Sequence, residues 1–146
     1  MINILVCDDD KEIVEAIEIY LSQDGYRIFK AYDGLQAIKI LDKEDIHLLI
    51  MDIMMPKLDG IRATLKIREY SSIPIIILSA KSEDTDKILG LNIGADDYIC
   101  KPFNPLELVA RVKSTCADIL LWEALTAIVN RFIRWVVLFL TMTPSR

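Results

Sequence analysis

The sequence predicts a doubly wound α/β fold, in which five parallel strands in the order 2-1-3-4-5 carry helices on both faces. Short apolar runs alternate with segments of helical periodicity five times along the chain, as expected for parallel strands joined by crossover helices. The runs are uniformly apolar, which favours strands buried on both faces. The first and third runs end in aspartates, and the 2-1-3-4-5 order brings those two ends together.

Each predicted strand is a short apolar run bounded by polar or turn-forming residues. In chain order these strands are Asn3 to Cys7, Arg27 to Ala31, Leu48 to Met51, Ile75 to Leu78 and Tyr98 to Cys100. The predicted helices carry apolar residues three or four apart, with start and stop signals at their ends. They are Lys11 to Gln23, Leu35 to Leu41, Gly60 to Tyr70, Glu83 to Asn92 and a fifth that begins at Asn104.

Composition favours a single folded domain with a hydrophobic core. Hydrophobic residues make up 53% of the 146 residues, and the net charge of -5 gives no basic stripe for nucleic acid. Cys7, Cys100 and Cys116 are widely spaced, and the only histidine, His47, has no metal-ligand partner motif. We therefore expect reduced cysteines, a structural His47 and a cytoplasmic location, and no signal peptide precedes the first strand pattern.

Carboxylates and one ammonium follow strand ends that share an edge of the predicted sheet. Asp8, Asp9 and Asp10 follow the first strand, Asp52 the third and Lys101 the fifth. Mg²⁺ prefers oxygen ligands and is usually held by one or two carboxylates together with phosphate oxygens. The sequence therefore predicts a site for Mg²⁺ and a phosphoryl group. Asp10 is set apart as a helix N-cap, a role that aspartates after strands often have.

The predicted site has the parts needed for phosphoryl transfer to an aspartate. Clustered carboxylates should have raised pKa values in the absence of a cation. A metal ion and Lys101 would keep Asp52 ionised, and an ionised aspartate is a competent nucleophile. The hydroxyl of Ser79 and the backbone carbonyl of Met54 are placed to assist with the phosphoryl group and the metal. Singly, Asp52, Ser79 and Lys101 would be ordinary loop, turn and solvated residues, and only their combination predicts the site.

Four segments resemble the receiver domain of bacterial two-component response regulators. ILVCDDD resembles its first strand and acid pair, LLIMDIMMPKLDG its phosphoacceptor strand, IIILSA its switch-hydroxyl strand and GADDYICKPF its last strand. The resemblance covers residues 2 to about 114 and implies a flavodoxin-like (βα)5 fold. It implies a switch, with at most slow self-catalysed dephosphorylation, that takes a phosphoryl group from a sensor histidine kinase.

The resemblance also implies a role for each matching residue. Asp52 is the phosphoacceptor, and Mg²⁺ is held by Asp8, Asp9, Asp52 and the Met54 carbonyl. Lys101 contacts the phosphoryl group, and the Lys101-Pro102 bond is cis. Ser79 and Tyr98 transmit the switch: the hydroxyl moves toward the phosphoryl group, and Tyr98 rotates inward from solvent into the vacated space.

Residues 81 to 113 resemble the OmpR/PhoB subfamily, with VanR-like regulators closest. This implies a homodimer through the fourth helix, fifth strand and fifth helix. The residues at the positions of its intersubunit ion pairs are Lys87, Asp96, Asp97, Glu107 and Arg111. Each one alone is better explained as an ordinary solvated charge, and only the set on one face favours the dimer.

The resemblance ends after Ser114, where the subfamily continues into a linker and a winged-helix DNA-binding domain that regulates transcription. Residues 115 to 146 are instead an apolar tail, and no DNA-binding domain is predicted in this chain. We back-translated Thr115 to Ala124 and read the possible codons in the frame that starts at each third base. This shifted frame permits Leu-Arg-Arg-Tyr-x-x-Leu-Gly-Ser, which resembles the missing linker. We therefore predict a frameshift near codon 115, so that DNA is contacted only through an absent output domain.

The tail has apolar residues at near-helical spacing and is predicted to extend the fifth helix or pack against another copy. A membrane span is the rival interpretation. Charged and amide residues at 123, 130, 131 and 134 interrupt it, and Trp135 to Met142 is too short to cross alone, so no membrane partner is expected.

Two other functions compete with the switch. A phosphohydrolase of the haloacid dehalogenase type would use Asp8-x-Asp10, but it leaves Asp52 and Lys101 without a role. A flavodoxin-like FMN binder needs a Ser-, Thr- or Gly-rich phosphate loop after the first strand, whereas the aspartate run there repels phosphate.

Overall fold

The protein was analysed as a computed structural model that describes residues 1–53, 55, 59–79 and 94–142. In these residues a five-stranded sheet has the order β2-β1-β3-β4-β5, with every neighbouring pair parallel. The strands are β1 Asn3–Cys7, β2 Arg27–Ala31, β3 Leu48–Asp52, β4 Ile75–Ser79 and β5 Asp97–Cys100. The predicted fold class and strand order are confirmed.

Three strands are one residue longer than predicted: β5 begins one residue earlier, at Asp97, and β3 and β4 each end one residue later, at a polar residue. Asp52 belongs to β3 and pairs in register with Leu78, while Ser79 belongs to β4 and pairs with Cys100. Both residues therefore take their positions from the sheet ladder instead of from the loops that follow. The rest of β1, β3 and β4 is almost entirely buried, which explains their uniformly apolar sequence.

The described helices are α1 Lys11–Ser22, α2 Gly34–Lys43, α3 Gly60–Arg68 and a C-terminal helix, Pro105–Met142. Aspartates cap the first three: Asp10 accepts from the Glu12 amide at 3.0 Å, Asp33 from Gln36 at 2.8 Å and Asp59 from Arg62 at 2.8 Å. Such caps satisfy amides that have no partner within the helix, and each stabilises the fold by about 1 kcal/mol. The predicted cap at Asp10 is confirmed, whereas the predicted helix Glu83 to Asn92 lies outside the described residues.

The chain divides into two compact units, Met1–Val112 and Lys113–Arg146. The first contains the sheet and α1 to α3, and its core is built from strand residues such as Leu5, Leu49 and Ile77. None of the three cysteines, all of which lie in the described residues, forms a disulfide. His47 has a structural contact, because its Nδ1 accepts from the Asn3 amide at 2.9 Å.

The second unit is helical through Met142, in agreement with an extended last helix. By length and composition, the C-terminal helix is a candidate membrane span, with a mean hydropathy of 1.5 over 18 residues and none of that window buried. The charged residues that interrupt the tail therefore do not remove a candidate span, although core helices of soluble proteins pass the same test.

Candidate functional site

Three aspartates from two neighbouring strands meet at the carboxyl edge of the sheet. Asp8 directly follows β1, and Asp52 is the last residue of β3. One carboxylate oxygen from each of Asp8, Asp9 and Asp52 lies within 4.8 Å of the other two. Asp8 and Asp52 are only 0% and 3% exposed, whereas Asp9 faces solvent. The structure thus brings together the three carboxylates that the sequence singled out.

Lys101 places one ammonium among these carboxylates. Its Nζ lies 2.6 Å from Asp8 Oδ2 and 3.3 Å from Asp52 Oδ1. Its backbone amide donates to the carbonyl of Ser79 at 2.6 Å, which ties the lysine to the end of β4. The Lys101-Pro102 bond is cis, as the sequence resemblance implied. Three carboxylates and one ammonium leave a formal charge of -2 when all are ionised.

Burial and mutual repulsion raise the pKa values of the two inner carboxyls. Burial first, and then the charge of Asp8, raise the pKa of Asp52 to about 6, although Lys101 opposes the shift. Burial also raises the pKa of Asp8, against its hydrogen bond from Lys101. The predicted direction was right, but loss of solvation contributes more than the repulsion from which it was argued. For Lys101, burial lowers the pKa, but contacts with Asp8 and Asp52 outweigh it and the net shift is upward.

The Asp8 carboxylate is oriented by a backbone amide as well as by the ammonium of Lys101. Its Oδ1 accepts from the Asp10 amide at 3.0 Å, while its Oδ2 contacts Lys101. Because Asp10 in turn caps α1, the start of that helix and the acidic cluster form one hydrogen-bonded unit. The DDD run predicted which residues take part, but not that both oxygens of Asp8 are engaged.

Gly60 supports Asp52 from the other side, a role that the sequence analysis missed. Its amide donates to the carbonyl of Ile53 at 2.9 Å. A Cβ at this position would overlap the backbone carbonyl of Asp52 and lie 2.9 Å from the Cα of Ile53. Only glycine lets α3 begin so close to β3, and the Asp59-Gly60 pair in the sequence was the available signal.

The two proposed switch residues lie on neighbouring strands but at different levels: Ser79 ends β4, whereas Tyr98 lies opposite Ile77 within β5. Ser79 is 1% exposed at the end of β4, next to the strand that carries Asp52. Tyr98 is only 7% exposed, so its ring is already largely buried, whereas the switch expected from the sequence starts from a ring that faces solvent. Met54, the predicted carbonyl ligand, lies outside the described residues.

Comparison with known proteins identifies the family. A family model described as the response regulator receiver domain matches residues 4–113. The chain belongs to the response regulator receiver family. This receiver domain resembles Response regulator GtcR of Aneurinibacillus migulanus and Regulatory protein VanR of Enterococcus faecium, each with 50% identity over 112 residues. It is also 42% identical over 130 residues to a transcriptional regulatory protein, YcbL, of Bacillus subtilis.

The matches cover 77%, 77% and 89% of this chain but 46%, 48% and 58% of those relatives, so the chain spans about half of their length. Solved receiver domains share its fold. The receiver domain of the Francisella response regulator 1452 has a TM-score of 0.78 and 36% identity, and the match covers 82% of this chain and 99% of that domain. The BeF3-activated receiver domain of DrrB has a TM-score of 0.74 and 35% identity, and the match covers 80% of this chain and 98% of that domain.

The residues expected at a dimer face are engaged within the receiver domain itself. Arg111 contacts Asp97 at 2.6 Å and Glu107 at 3.1 Å, and the hydrogen bond that its guanidinium donates to the Asp97 carboxylate raises the pKa of Arg111. Asp96 accepts from the Ile75 amide at 2.8 Å and contacts an arginine, Arg68, at 3.1 Å. Lys87 lies outside the described residues.

A cavity of about 440 Å³ opens beside the acidic cluster of the receiver domain. Its lining is mostly apolar and comes from α1 and from the segment after β5: Ile13, Lys101, Pro102 and Phe103. Lys101 therefore faces both the carboxylates and this cavity. The sequence analysis did not anticipate the cavity, because it depends on the spacing between α1 and the Lys101-Pro102 turn.

Proposed function

We propose that this receiver domain is a phosphorylation switch that accepts a phosphoryl group on Asp52 from a sensor histidine kinase. The observation that supports it most is the charge of the acidic cluster, which is -2 when three carboxylates, two of them buried, face one ammonium. Buried charges that are not balanced are costly, so the cluster favours a divalent cation. The carboxylate oxygens of Asp8, Asp9 and Asp52 are the hard ligands that Mg²⁺ prefers, with the Met54 carbonyl as a proposed fourth.

In the proposed reaction, a carboxylate oxygen of Asp52 attacks the phosphorus atom. The new O–P bond forms as the P–N bond to the kinase imidazole breaks, and the imidazole leaves with that bond's electron pair. Lys101 stabilises the charge on the phosphoryl oxygens, and the Ser79 hydroxyl contributes a hydrogen bond. Bound Mg²⁺ would supply further charge stabilisation to the same oxygens. With a pKa of about 6, Asp52 is mostly ionised at neutral pH even without metal.

Asp52 suits this role better than Asp8, which is the nucleophile of the competing phosphohydrolase interpretation. Both oxygens of Asp8 are occupied, one by the Asp10 amide and one by Lys101 at 2.6 Å. Asp52 is held less closely by Lys101, which lies 3.3 Å from its Oδ1, and we propose Oδ2 as the attacking oxygen. The chain acts as a switch more than as an enzyme, with slow self-catalysed hydrolysis as its only turnover.

A small phosphodonor such as acetyl phosphate tests the proposal without the kinase. We expect Mg²⁺-dependent incorporation of one phosphoryl group in the wild type and none in Asp52→Asn. Asp9→Asn should keep the acceptor but weaken the dependence on Mg²⁺, which separates a metal ligand from the nucleophile. Incorporation that persists in Asp52→Asn but disappears in Asp8→Asn would support the phosphohydrolase instead.

The same proposal includes a phosphorylation-dependent homodimer through the fourth helix, fifth strand and fifth helix. Since Arg111 is paired with Asp97 and Glu107 inside the chain, dimer formation would exchange these contacts for intersubunit ones. Beryllium fluoride, which activates the similar DrrB receiver domain, is a suitable phosphoryl mimic for the test. Because the exposed apolar C-terminal helix can associate by itself, the test uses a chain in which Phe132→Glu interrupts that apolar surface. We expect beryllium fluoride to double the mass of this variant measured by light scattering, but not when Arg111→Ala is added. An unchanged mass of Phe132→Glu with beryllium fluoride would contradict the proposed dimer.

For the rest of the protein, we propose that residues 115 to 146 come from a shifted reading frame. Downstream DNA would then encode a winged-helix output domain that binds DNA. Sequencing the gene tests this, and a downstream region without such coding capacity would contradict it. A cytoplasmic location is part of the proposal, supported by the three free cysteines.

A further inference from the structure

The C-terminal helix carries a seam of apolar side chains at heptad spacing. Along the second unit, apolar side chains recur at alternating intervals of four and three residues, without interruption from 121 to 142. The seam consists of Leu121, Leu125, Ile128, Phe132, Trp135, Phe139 and Met142. Alternation of this kind places side chains on one stripe of a helix and is the pattern by which helices pack together in coiled coils. The stripe is shorter than the helix, because Asp118 occupies the preceding position of the repeat.

All seven seam residues are exposed, by 48% to 73%. Trp135 stacks on Phe139 with ring centroids 6.2 Å apart, so part of the seam is already ordered along the helix. Soluble monomers rarely expose a continuous apolar patch larger than about 300–600 Å². Seven large side chains over three heptads supply an area on the order of the 800 Å² per partner that stable interfaces bury. The seam is therefore large enough to hold a partner helix.

The side of the helix opposite the seam is polar in its first part only. Glu123 and Asn130 lie seven residues apart on the stripe farthest from the seam, with Thr126 and Arg134 beside them. Toward the end of the helix the same side carries the exposed apolar residues Ile133, Val137 and Leu140. Glu123 and Arg134 thus keep their charges away from the seam, which fits helix-on-helix packing in water. The seam is flanked on one side by further apolar residues, Trp122, Val129 and Val136. The apolar surface of the helix is therefore wider than the contact between two helices requires.

A membrane span fits the same helix less well. Arg131 and Arg134 lie near the centre of residues 124–141, and each arginine at the centre of a span costs about 2.5–3.5 kcal/mol. The ten Leu, Ile, Val and Phe residues in that stretch each contribute about -0.3 to -0.6 kcal/mol. The two arginines thus offset nearly all of the favourable insertion energy, before Asn130 is added. A second copy buries the seam without this cost, because both arginines stay outside it.

We propose that the exposed seam from Leu121 to Met142 is a self-association surface that docks the same seam of a second copy of this chain. The assembly does not depend on phosphorylation, because no seam residue belongs to the acidic cluster or to the dimer face proposed above. Self-association through the seam goes beyond the proposed function, and either proposal can fail while the other holds. The wide apolar flank allows further copies to join the first two as a helical bundle.

The test measures mass by light scattering for the full chain over a micromolar concentration series, with no phosphodonor. Phe132→Glu introduces a charge at the centre of the seam. Val137→Glu introduces the same charge at an exposed site on the opposite side of the helix. We expect wild type and Val137→Glu to form a discrete oligomer of the 16.7 kDa chain. Phe132→Glu should need at least tenfold higher concentration to assemble, with its helical circular dichroism unchanged.

Three further measurements decide the outcome. Asp52→Asn should assemble like the wild type, and assembly that requires a phosphodonor would overturn the proposal. Tryptophan fluorescence of the wild type, which comes from Trp135 in the seam and Trp122 beside it, should shift to shorter wavelength with concentration, which tests burial of the seam even if Phe132→Glu loses helix. Monomeric wild type throughout, equal effects of both glutamates, or flotation of monomers with phosphatidylcholine–phosphatidylglycerol vesicles would each contradict a seam built for a second copy.

Discussion

Lys101 forms its shortest side-chain contact with Asp8, at 2.6 Å, and lies farther from the proposed phosphoacceptor, Asp52, at 3.3 Å. Without metal, the lysine therefore balances mainly the carboxylate that is proposed to hold Mg²⁺. Binding of a cation at Asp8 would reduce the attraction between Asp8 and Lys101. The ammonium would then be available to the phosphoryl group on Asp52, which links metal binding to activation of the acceptor.

Lys101→Ala should destabilise the fold and slow phosphorylation. It leaves two buried carboxylates without their cation, and loss of one partner of a buried pair costs about 3–5 kcal/mol. The loss should shrink as pH falls from 7 to 5, because removal of the ammonium raises the pKa of Asp52 further above about 6, so that this carboxyl becomes protonated and neutral. Urea unfolding at the two pH values measures this. Lys30→Ala, which breaks only the exposed pair with Glu18, should cost less than about 1 kcal/mol, and an equal loss in both variants would contradict the account.

Asp52→Asn should stabilise the metal-free protein at pH 7. The pKa of Asp52 is about 6 in the folded chain against an ordinary 3.8, so the folded state holds its proton over a range where the unfolded state has lost it. The stability contributed by this group therefore falls as pH rises from about 4 to 6, by up to about 3 kcal/mol. We expect the variant to be about 1–3 kcal/mol more stable at pH 7 and equal to wild type below pH 4.

Thermal or urea unfolding across this pH range provides the measurement, and excess Mg²⁺ should narrow the difference because it binds the wild-type cluster more tightly. Asp45→Asn is the control, because Asp45 is an exposed residue whose contact with His47 is 3.5 Å long. Its stability should change by less than about 0.5 kcal/mol. A wild type that is more stable than Asp52→Asn at pH 7 without metal would mean that Asp52 is stabilised in its ionised form.

Gly60→Ala should disrupt the site through Asp52. The added Cβ would overlap the Asp52 carbonyl, so β3 and the start of α3 would have to separate. We expect a loss of at least about 3 kcal/mol in the free energy of unfolding, together with a lower rate of phosphorylation. Gly25→Ala is a matched control: Gly25 has a φ of 85° but open space around it, so it should cost only about 1–2 kcal/mol and leave phosphorylation unchanged. Similar phosphorylation rates in both variants would contradict a role for Gly60 at the site.

Arg68→Ala should destabilise the entry to β4 and β5. Arg68 donates to the carbonyls of Ile73 at 2.6 Å and Gly94 at 2.7 Å, and it contacts Asp96 at 3.1 Å. These bonds join the end of α3 to the segments before β4 and β5, so their loss should cost about 2–4 kcal/mol in urea unfolding. Arg62→Ala, which removes only an exposed 3.8 Å pair on the same helix, should cost under about 0.5 kcal/mol. Comparable losses would show that the Arg68 network contributes little.

Much of the fold was predictable because its signals are local. Apolar runs ending in Asp8 and Asp52 marked the strands and the edge where they meet, and Asp10 was recognisable as a helix cap. The ends of β3 and β4 were less predictable. Asp52 and Ser79 are polar, and only pairing with neighbouring strands keeps them inside the sheet.

The cluster of Asp8, Asp9, Asp52 and Lys101 was predictable from the sequence, but the contacts within it were not. That Lys101 prefers Asp8 over Asp52, that Tyr98 is buried and that Asp96 is paired with Arg68 all depend on tertiary distances. The support from Gly60 depends on how closely α3 approaches β3, which no periodicity in the sequence reports.

The most direct test of the central claim is the intact mass of the protein after incubation with acetyl phosphate and Mg²⁺, in wild type and Asp52→Asn. We predict that the wild type gains the mass of one phosphoryl group, that omission of Mg²⁺ strongly reduces the gain, and that Asp52→Asn gains none. A folded wild type that stays unmodified, or an Asp52→Asn variant modified as fully as the wild type, would contradict the assignment of Asp52 as the phosphoacceptor.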